Sequence, residues 1–223
     1  MDSPRTILPS QTAKRTVLHA AMLLALACLP GCNVIYKTSL HQPDYYYLNP
    51  HKRLPAVGKV VLLDMNNDSS YPQISADMTE ALFQALQKEQ LFSLTVVHRT
   101  DPSWKSLQLD ADAPYTLEQL AAMRKALNCN AVIIGSVTTY QPYPQMIIGL
   151  RLKLVDLTDG QLLWALEQIW DTTDKTMEKR VKDYYRDQVH SGFGPLREQL
   201  VLVSSLNFIK FVAYEVAQTM YSD

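Results

Sequence analysis

The stretch that most constrains this chain runs from Ala131 to Trp170. From Met146 its residues alternate: Met146, Ile148, Leu150, Leu152 and Leu154 share one side, Arg151 and Lys153 the other. A period of two marks a strand with one apolar face, because successive side chains leave a pleated backbone on opposite sides. Residues 131–140 ahead of it are apolar and β-branched, and Pro142 and Pro144 end that run. Asp159-Gly160 after it offers a tight turn, since both residues tolerate positive φ, and residues 162–170 read as a third strand. The pattern predicts an antiparallel three-stranded meander with helices packed on its apolar face.

The flanking segments supply those helices. Residues 59–65 (KVVLLDM) are apolar on both faces, as in a central strand covered on both sides. Ile74, Met78, Ala81, Leu82, Ala85 and Leu86 recur at three and four, which predicts an amphipathic helix over about 72–90. Residues 92–98 form the next strand. A polar loop with two prolines, 101–114, leads to Thr116-Leu117-Glu118-Gln119, which fits a capping box opening a helix that ends near Asn128. Beyond Asp171 a charged helix over 173–189 carries a narrow stripe of Met177, Val181, Tyr184 and Tyr185. Gly192-Phe193-Gly194-Pro195 breaks the chain, and residues 196–203 form a short apolar segment. Ser204-Ser205 can cap a final helix whose wide apolar face requires burial. The fold class expected is α/β (α+β): a β-α-β-α-β-β-β-α-α sandwich, a mixed sheet with the meander covered by helices.

The amino terminus reads as a leader. Arg5, Lys14 and Arg15 precede an uncharged apolar run over 17–29. That run is shorter than the roughly 20 apolar residues of a spanning helix, and has the length of a signal-peptide core. Leu29-Pro30-Gly31-Cys32 follows and resembles the bacterial lipobox, in which the Cys is acylated and becomes the new amino terminus. Ala25-Leu26-Ala27-Cys28 is a rival with a shorter apolar run. Two or three acyl chains anchor stably where one does not. Asn33 is not the Asp that retains lipoproteins in the inner membrane, so the expected place is the outer membrane, facing the periplasm. The domains expected are a signal peptide over 1–31, a lipidated Cys and Pro/Tyr-containing tether over 32–55, and a single periplasmic α/β domain over 56–223. Within the tether, Tyr45-Tyr46-Tyr47 are either an edge strand packed on the domain or a partner contact.

Composition bounds the function. The 223 residues are 47% hydrophobic and 19% charged with a net charge of −1, a globular composition. Cleavage before Cys32 would remove Arg5, Lys14, Arg15 and Asp2 and leave −3, no footprint for nucleic acid. Cys129, without a thiol partner, reads as a small buried hydrophobe. No G-x-S-x-G, H-E-x-x-H or P-loop pattern occurs, and His98 and His190 stand without metal-ligand spacing. Asp64 and Asp156 end strands and are read as turn residues, with a carboxylate pair as the alternative. No catalytic residue, metal or cofactor is expected, and an enzyme is not expected.

Two motifs carry a resemblance. Residues 127–137, LNCNAVIIGSV, are similar to a "small-Asp-Ala-Val-x-x-Gly-x-Val" strand, with Cys129-Asn130 in place of the usual Ala-Asp. Residues 152–164, LKLVDLTDGQLLW, are similar to a hairpin ending in Trp. Both resemble a group of bacterial envelope proteins: curli secretion-channel lipoproteins, the Pel-export lipoprotein, penicillin-binding-protein activator lipoproteins and the TolB amino-terminal domain. The resemblance implies a non-catalytic scaffold or assembly component in export or envelope maintenance, binding other envelope proteins or itself. Its alternative is an activator or adaptor of a cell-wall enzyme. A self-made pore is disfavoured, because the alternation over 146–155 already serves the core. Tyr140, Pro142, Tyr143 and Pro144, at the first hairpin, are the candidate partner contact; simple packing at the hairpin tip is the competing reading.

Overall fold

The computed structural model describes residues 45–102, 115–188 and 204–221. The leader, Cys28, Cys32, His41, most of the 101–114 loop, His190 and the 192–203 segment lie outside the described residues. All described residues belong to one compact unit, Leu40–Asp223.

A seven-stranded mixed sheet organises that unit. Its strands are β1 (Tyr46–Leu48), β2 (Lys59–Leu63), β3 (Asn66–Asn67), β4 (Ser93–Val97), β5 (Ala131–Gln141), β6 (Ile147–Asp156) and β7 (Leu162–Asp171). The spatial order is β1-β7-β6-β5-β2-β4, with the short β3 added to the end of β5. β2 runs parallel to both β4 and β5, while β5, β6 and β7 form the antiparallel meander. The helices are α1 (Ile74–Glu89), α2 (Leu117–Leu127), α3 (Lys175–Gln188) and α4 (Ser205–Gln218). The sandwich expected from the sequence is therefore the fold, with β1 and β3 added. β3 is two residues long, too short for an alternation to show.

The pleat divides the core in two. Val60, Leu62, Ile133, Leu150, Leu152, Leu154, Trp164 and Trp170 face one side, where they are buried with α1, α4 and the Met177–Val181 stripe of α3. Val61, Leu63, Val132 and Ile134 face the other, under Leu120, Met123 and Leu127 of α2. β2 is thus apolar on both faces because each face has its own helical cover. α2 covers this part of the second face and reaches the Val155–Leu157 end of β6. Across β6 and β7 the second face carries the Arg151–Glu167 ion pair at 2.9 Å and Ile169, 60% exposed.

Local chemistry sets the helix ends. Thr116 accepts from the Gln119 amide while the Gln119 side chain accepts from the Thr116 amide, a reciprocal capping box. Ser204 caps α4 through the Asn207 amide. Gly135 allows a close approach: a Cβ there would lie 2.4 Å from the Arg151 carbonyl oxygen. No non-glycine residue fits at that point of the β5–β6 pairing without a shift.

The sheet reaches back into the stretch read as tether. β1 pairs with β7, Tyr46 opposite Leu166 and Leu48 opposite Trp164, and Leu54 is buried in the main core. Tyr46 and Tyr47 follow the edge-strand reading, and both keep exposed surface. Because β1 is antiparallel to β7, the chain enters it from the Asp171 end of β7, the end at which the β5–β6 hairpin also turns.

Candidate functional site

The residues picked out at the first hairpin are split by the fold. Gln141 pairs with Ile147, so residues 142–146 form the tip, closed by a hydrogen bond from the Gln141 side-chain amide to the Gln145 carbonyl at 3.2 Å. Tyr143 is 79% exposed, and Pro144 next to it is also exposed. Pro142 is half-buried. Tyr140 differs from them. It packs against the main core and meets Tyr71 edge to face, with ring centroids 5.3 Å apart at 86°. An aromatic pair of this geometry uses the positive ring edge against the negative ring face.

Tyr71 is the member of this patch that sequence reading missed. β3 brings it there. Asn66 and Asn67 pair with Ser136 and Val137, and the Asp68 amide donates to the Val137 carbonyl at 2.9 Å. The Asn67 side chain then accepts from the Ser69 amide and donates to the Tyr71 carbonyl at 2.8 Å, folding the loop back toward β5. The base of the hairpin is held from the other side. Thr172 and Met146 exchange side-chain and backbone hydrogen bonds at 2.9 and 3.0 Å, and Met146 is buried. Tyr71, Tyr143 and Pro144 therefore present exposed apolar surface on a pinned frame.

The same end of the sheet carries a polar cluster. The Asp64 carboxylate lies 3.0 Å from His98 Nδ1 and accepts the Arg99 amide at 2.8 Å, while the Arg99 guanidinium reaches the Met65 carbonyl at 3.0 Å and the Asn66 side chain. His98, isolated in sequence, thus has a carboxylate partner 34 residues away. The cluster ties the end of β4 to the end of β2, and among the described residues neither Asp64 nor His98 hydrogen-bonds a hydroxyl or a thiol. Asp64 and Asp156 do not pair. Asp156 lies opposite Ala131, which lies opposite Val60 at the start of β2, whereas Asp64 follows its end. Asp156 instead accepts from Lys52 at 2.7 Å, as does Asp159 at 2.6 Å. Among the described residues no group of three or more His, Cys, Asp or Glu could hold a metal ion.

Cys129 is buried, and burial pushes its thiol up to about 11, against the opposing pull of Lys59 and Arg124. A thiol so raised is protonated at neutral pH and behaves as packing. No helix among the described residues is long and apolar enough to cross a membrane.

No family model matches the chain, and no curated protein matches it. Solved structures do. A PelC dodecamer from Paraburkholderia phytofirmans matches at 12% identity and TM-score 0.42, over 60% of this chain and 86% of that one. Lipoprotein GNA1162 from Neisseria meningitidis matches at 16% and 0.43, over 60% and 99%. The LpoB C-terminal domain from Salmonella enterica matches at 21% and 0.38, over 51% and 82%. Likeness of this degree says nothing of the particular task.

Proposed function

We propose that this chain is an envelope lipoprotein that works by contact rather than catalysis. It is anchored by acyl chains on Cys32, stands on the periplasmic side of the outer membrane and scaffolds an assembly of other envelope proteins or of its own copies. The observation that carries the reading is the hairpin tip. Tyr143 and Pro144 are exposed, Tyr71 is 43% exposed against Tyr140 at the hairpin's base, and the frame beneath them is pinned by β3 and by the Met146–Thr172 hydrogen bonds. An exposed tyrosine on a rigid support gives contact area at little entropic cost, which is why Tyr is enriched at protein interfaces. The sequence motifs support the same class. The chain enters β1 from the tip's end of the sheet.

Two experiments separate the parts of this reading. Labelling with an alkyne fatty acid marks the wild type and leaves Cys32→Ser unmarked; label persisting in that variant removes the anchor. In-cell crosslinking from position 143 yields discrete adducts, and Tyr143→Ala lowers partner recovery at unchanged expression; unchanged recovery removes the tip as contact. Light scattering of the detergent-extracted protein then distinguishes a scaffold of identical copies from an adaptor or enzyme activator acting as a monomer.

A further inference from the structure

A second surface, at the opposite end of the sheet, has the chemistry of an anion site. A cleft of about 540 Å³ opens between the last turns of α2 and the β6–β7 turn, with Arg124, Lys125, Asn128, Asn130 and Thr158 on its wall. No carboxylate is among its lining residues. Lys59 adds a third cation. It lies on the α2 side of β2, in the same register series as Val61 and Leu63, and its charge and that of Arg124 both reach Cys129, which also lines the cleft. Lys59, Arg124 and Lys125 form no ion pair among the described residues, whereas Lys52, Arg151, Arg180, Lys182 and Arg186 all do. Basic residues in a last helical turn also answer the helix dipole. That accounts for Arg124 and Lys125 on their own helix, but not for Lys59, a third cation that β2 places beside a cleft with no carboxylate in its lining, in a chain whose net charge is −1.

The cleft is preformed. Lys52 clamps its outer rim by bridging Asp156 and Asp159, and the Leu157 amide donates to the Asn130 carbonyl at 2.8 Å. The turn also packs on α2: a Cβ at Gly160, where φ is +74°, would meet Leu120 Cδ1 at 2.9 Å. Arg offers a planar fork matched to a phosphate, Lys a point charge, and the Asn128 amide and Thr158 hydroxyl offer neutral hydrogen bonds around them, while the Asn130 amide donates to the Val57 carbonyl at 2.9 Å and holds the cleft floor to the chain just ahead of β2.

We propose that this cleft binds a phosphate ester, with Arg124 and Lys125 holding the oxyanion, Lys59 supplying charge from β2, and Thr158 hydrogen-bonding at the rim. The ester has two sources, a soluble sugar phosphate or a phospholipid headgroup, and the proposal stands whether or not Cys32 is acylated.

The test is calorimetry on the full-length chain in an uncharged detergent. One arm titrates a hexose 1-phosphate, and the other uses mixed micelles carrying phosphatidylglycerol. Saturable binding in either arm is expected, and the arm that responds identifies the source. R124Q/K125Q is expected to weaken it at least tenfold while still unfolding cooperatively, and Lys125→Arg to retain it. Should the double variant not fold, Lys59→Gln and Thr158→Val, each changing one group at the cleft, are expected to weaken binding individually. No saturable heat in either arm, or equal affinity in folded R124Q/K125Q, overturns the assignment.

Discussion

The indole nitrogen of Trp170 donates to the Glu215 carboxylate at 2.6 Å, joining the end of β7 to the last turn of α4. Glu215 is 3% exposed, on a helix whose neighbours Phe211, Val212, Val216 and Ala217 are fully buried. Its charge is answered by Arg180 of α3, which approaches with Nε at 2.9 Å and with a second nitrogen. One carboxylate therefore ties the charged helix α3 to the sheet through α4. Arg180→Ala removes the guanidinium that this buried carboxylate accepts from, and a loss of about 3–5 kcal/mol in urea unfolding is expected. Arg180→Met with Glu215→Gln removes both charges while leaving a side-chain carbonyl oxygen to accept from Trp170, and is expected to cost markedly less. Equal losses in the two variants would show that the helix packing, not the charge, carries the effect.

At the hairpin tip, stability and contact should separate. Tyr143→Ala removes an exposed side chain, so stability is expected to change by less than about 0.5 kcal/mol while partner recovery falls. Tyr71→Ala and Tyr140→Ala break the aromatic pair, and a double-mutant cycle between them should return about 0.5–1.5 kcal/mol of coupling. A cycle that closes to zero would mean the two rings are neighbours without interaction.

Cys129 predicts a pH dependence with a definite sign. Burial raises its thiol from 9.0 to about 11. A group whose folded-state pKa is raised contributes fully below the unfolded value, so its contribution is intact below pH 9.0 and is lost as pH rises to about 11. The span corresponds to roughly 2–3 kcal/mol at 1.36 kcal/mol per pH unit. Cys129 of the native protein should resist at pH 8 a thiol reagent that labels it at once in the urea-unfolded chain. Cys129→Ala should flatten this part of the stability profile; a wild-type profile flat from pH 9 to 11 would contradict the burial.

Gly135 is set by backbone crowding rather than by a turn. A methyl group there would lie 2.4 Å from the Arg151 carbonyl oxygen and 2.5 Å from a Leu152 methyl. Backbone in a paired strand cannot yield cheaply, so Gly135→Ala should cost at least about 2 kcal/mol. Thermal unfolding reads this directly, and a neutral substitution would show that the β5–β6 pairing is looser than its geometry.

Elements whose signal is local are legible in the chain. Alternation over 146–154 marked β6 and its buried face, the recurrence from Ile74 to Leu86 marked α1, and Thr116 with Gln119 marked the start of α2. Each rests on contacts between residues one to four positions apart, so each leaves a period or a spacing in the chain. Cys129 was legible as a buried hydrophobe for the same reason, being unpaired beside an apolar strand. Tertiary structure alone decided which of these elements meet. Tyr71 reaches Tyr140 through β3, and two residues cannot show an alternation. His98 finds Asp64, and Arg180 finds Glu215, across 34 and 35 residues. The charges of Lys59 and Arg124 both reach Cys129 only once β2 is seated under α2. Such meetings depend on strand register and helix placement, which burial of the whole apolar surface selects, and no short segment carries a record of them.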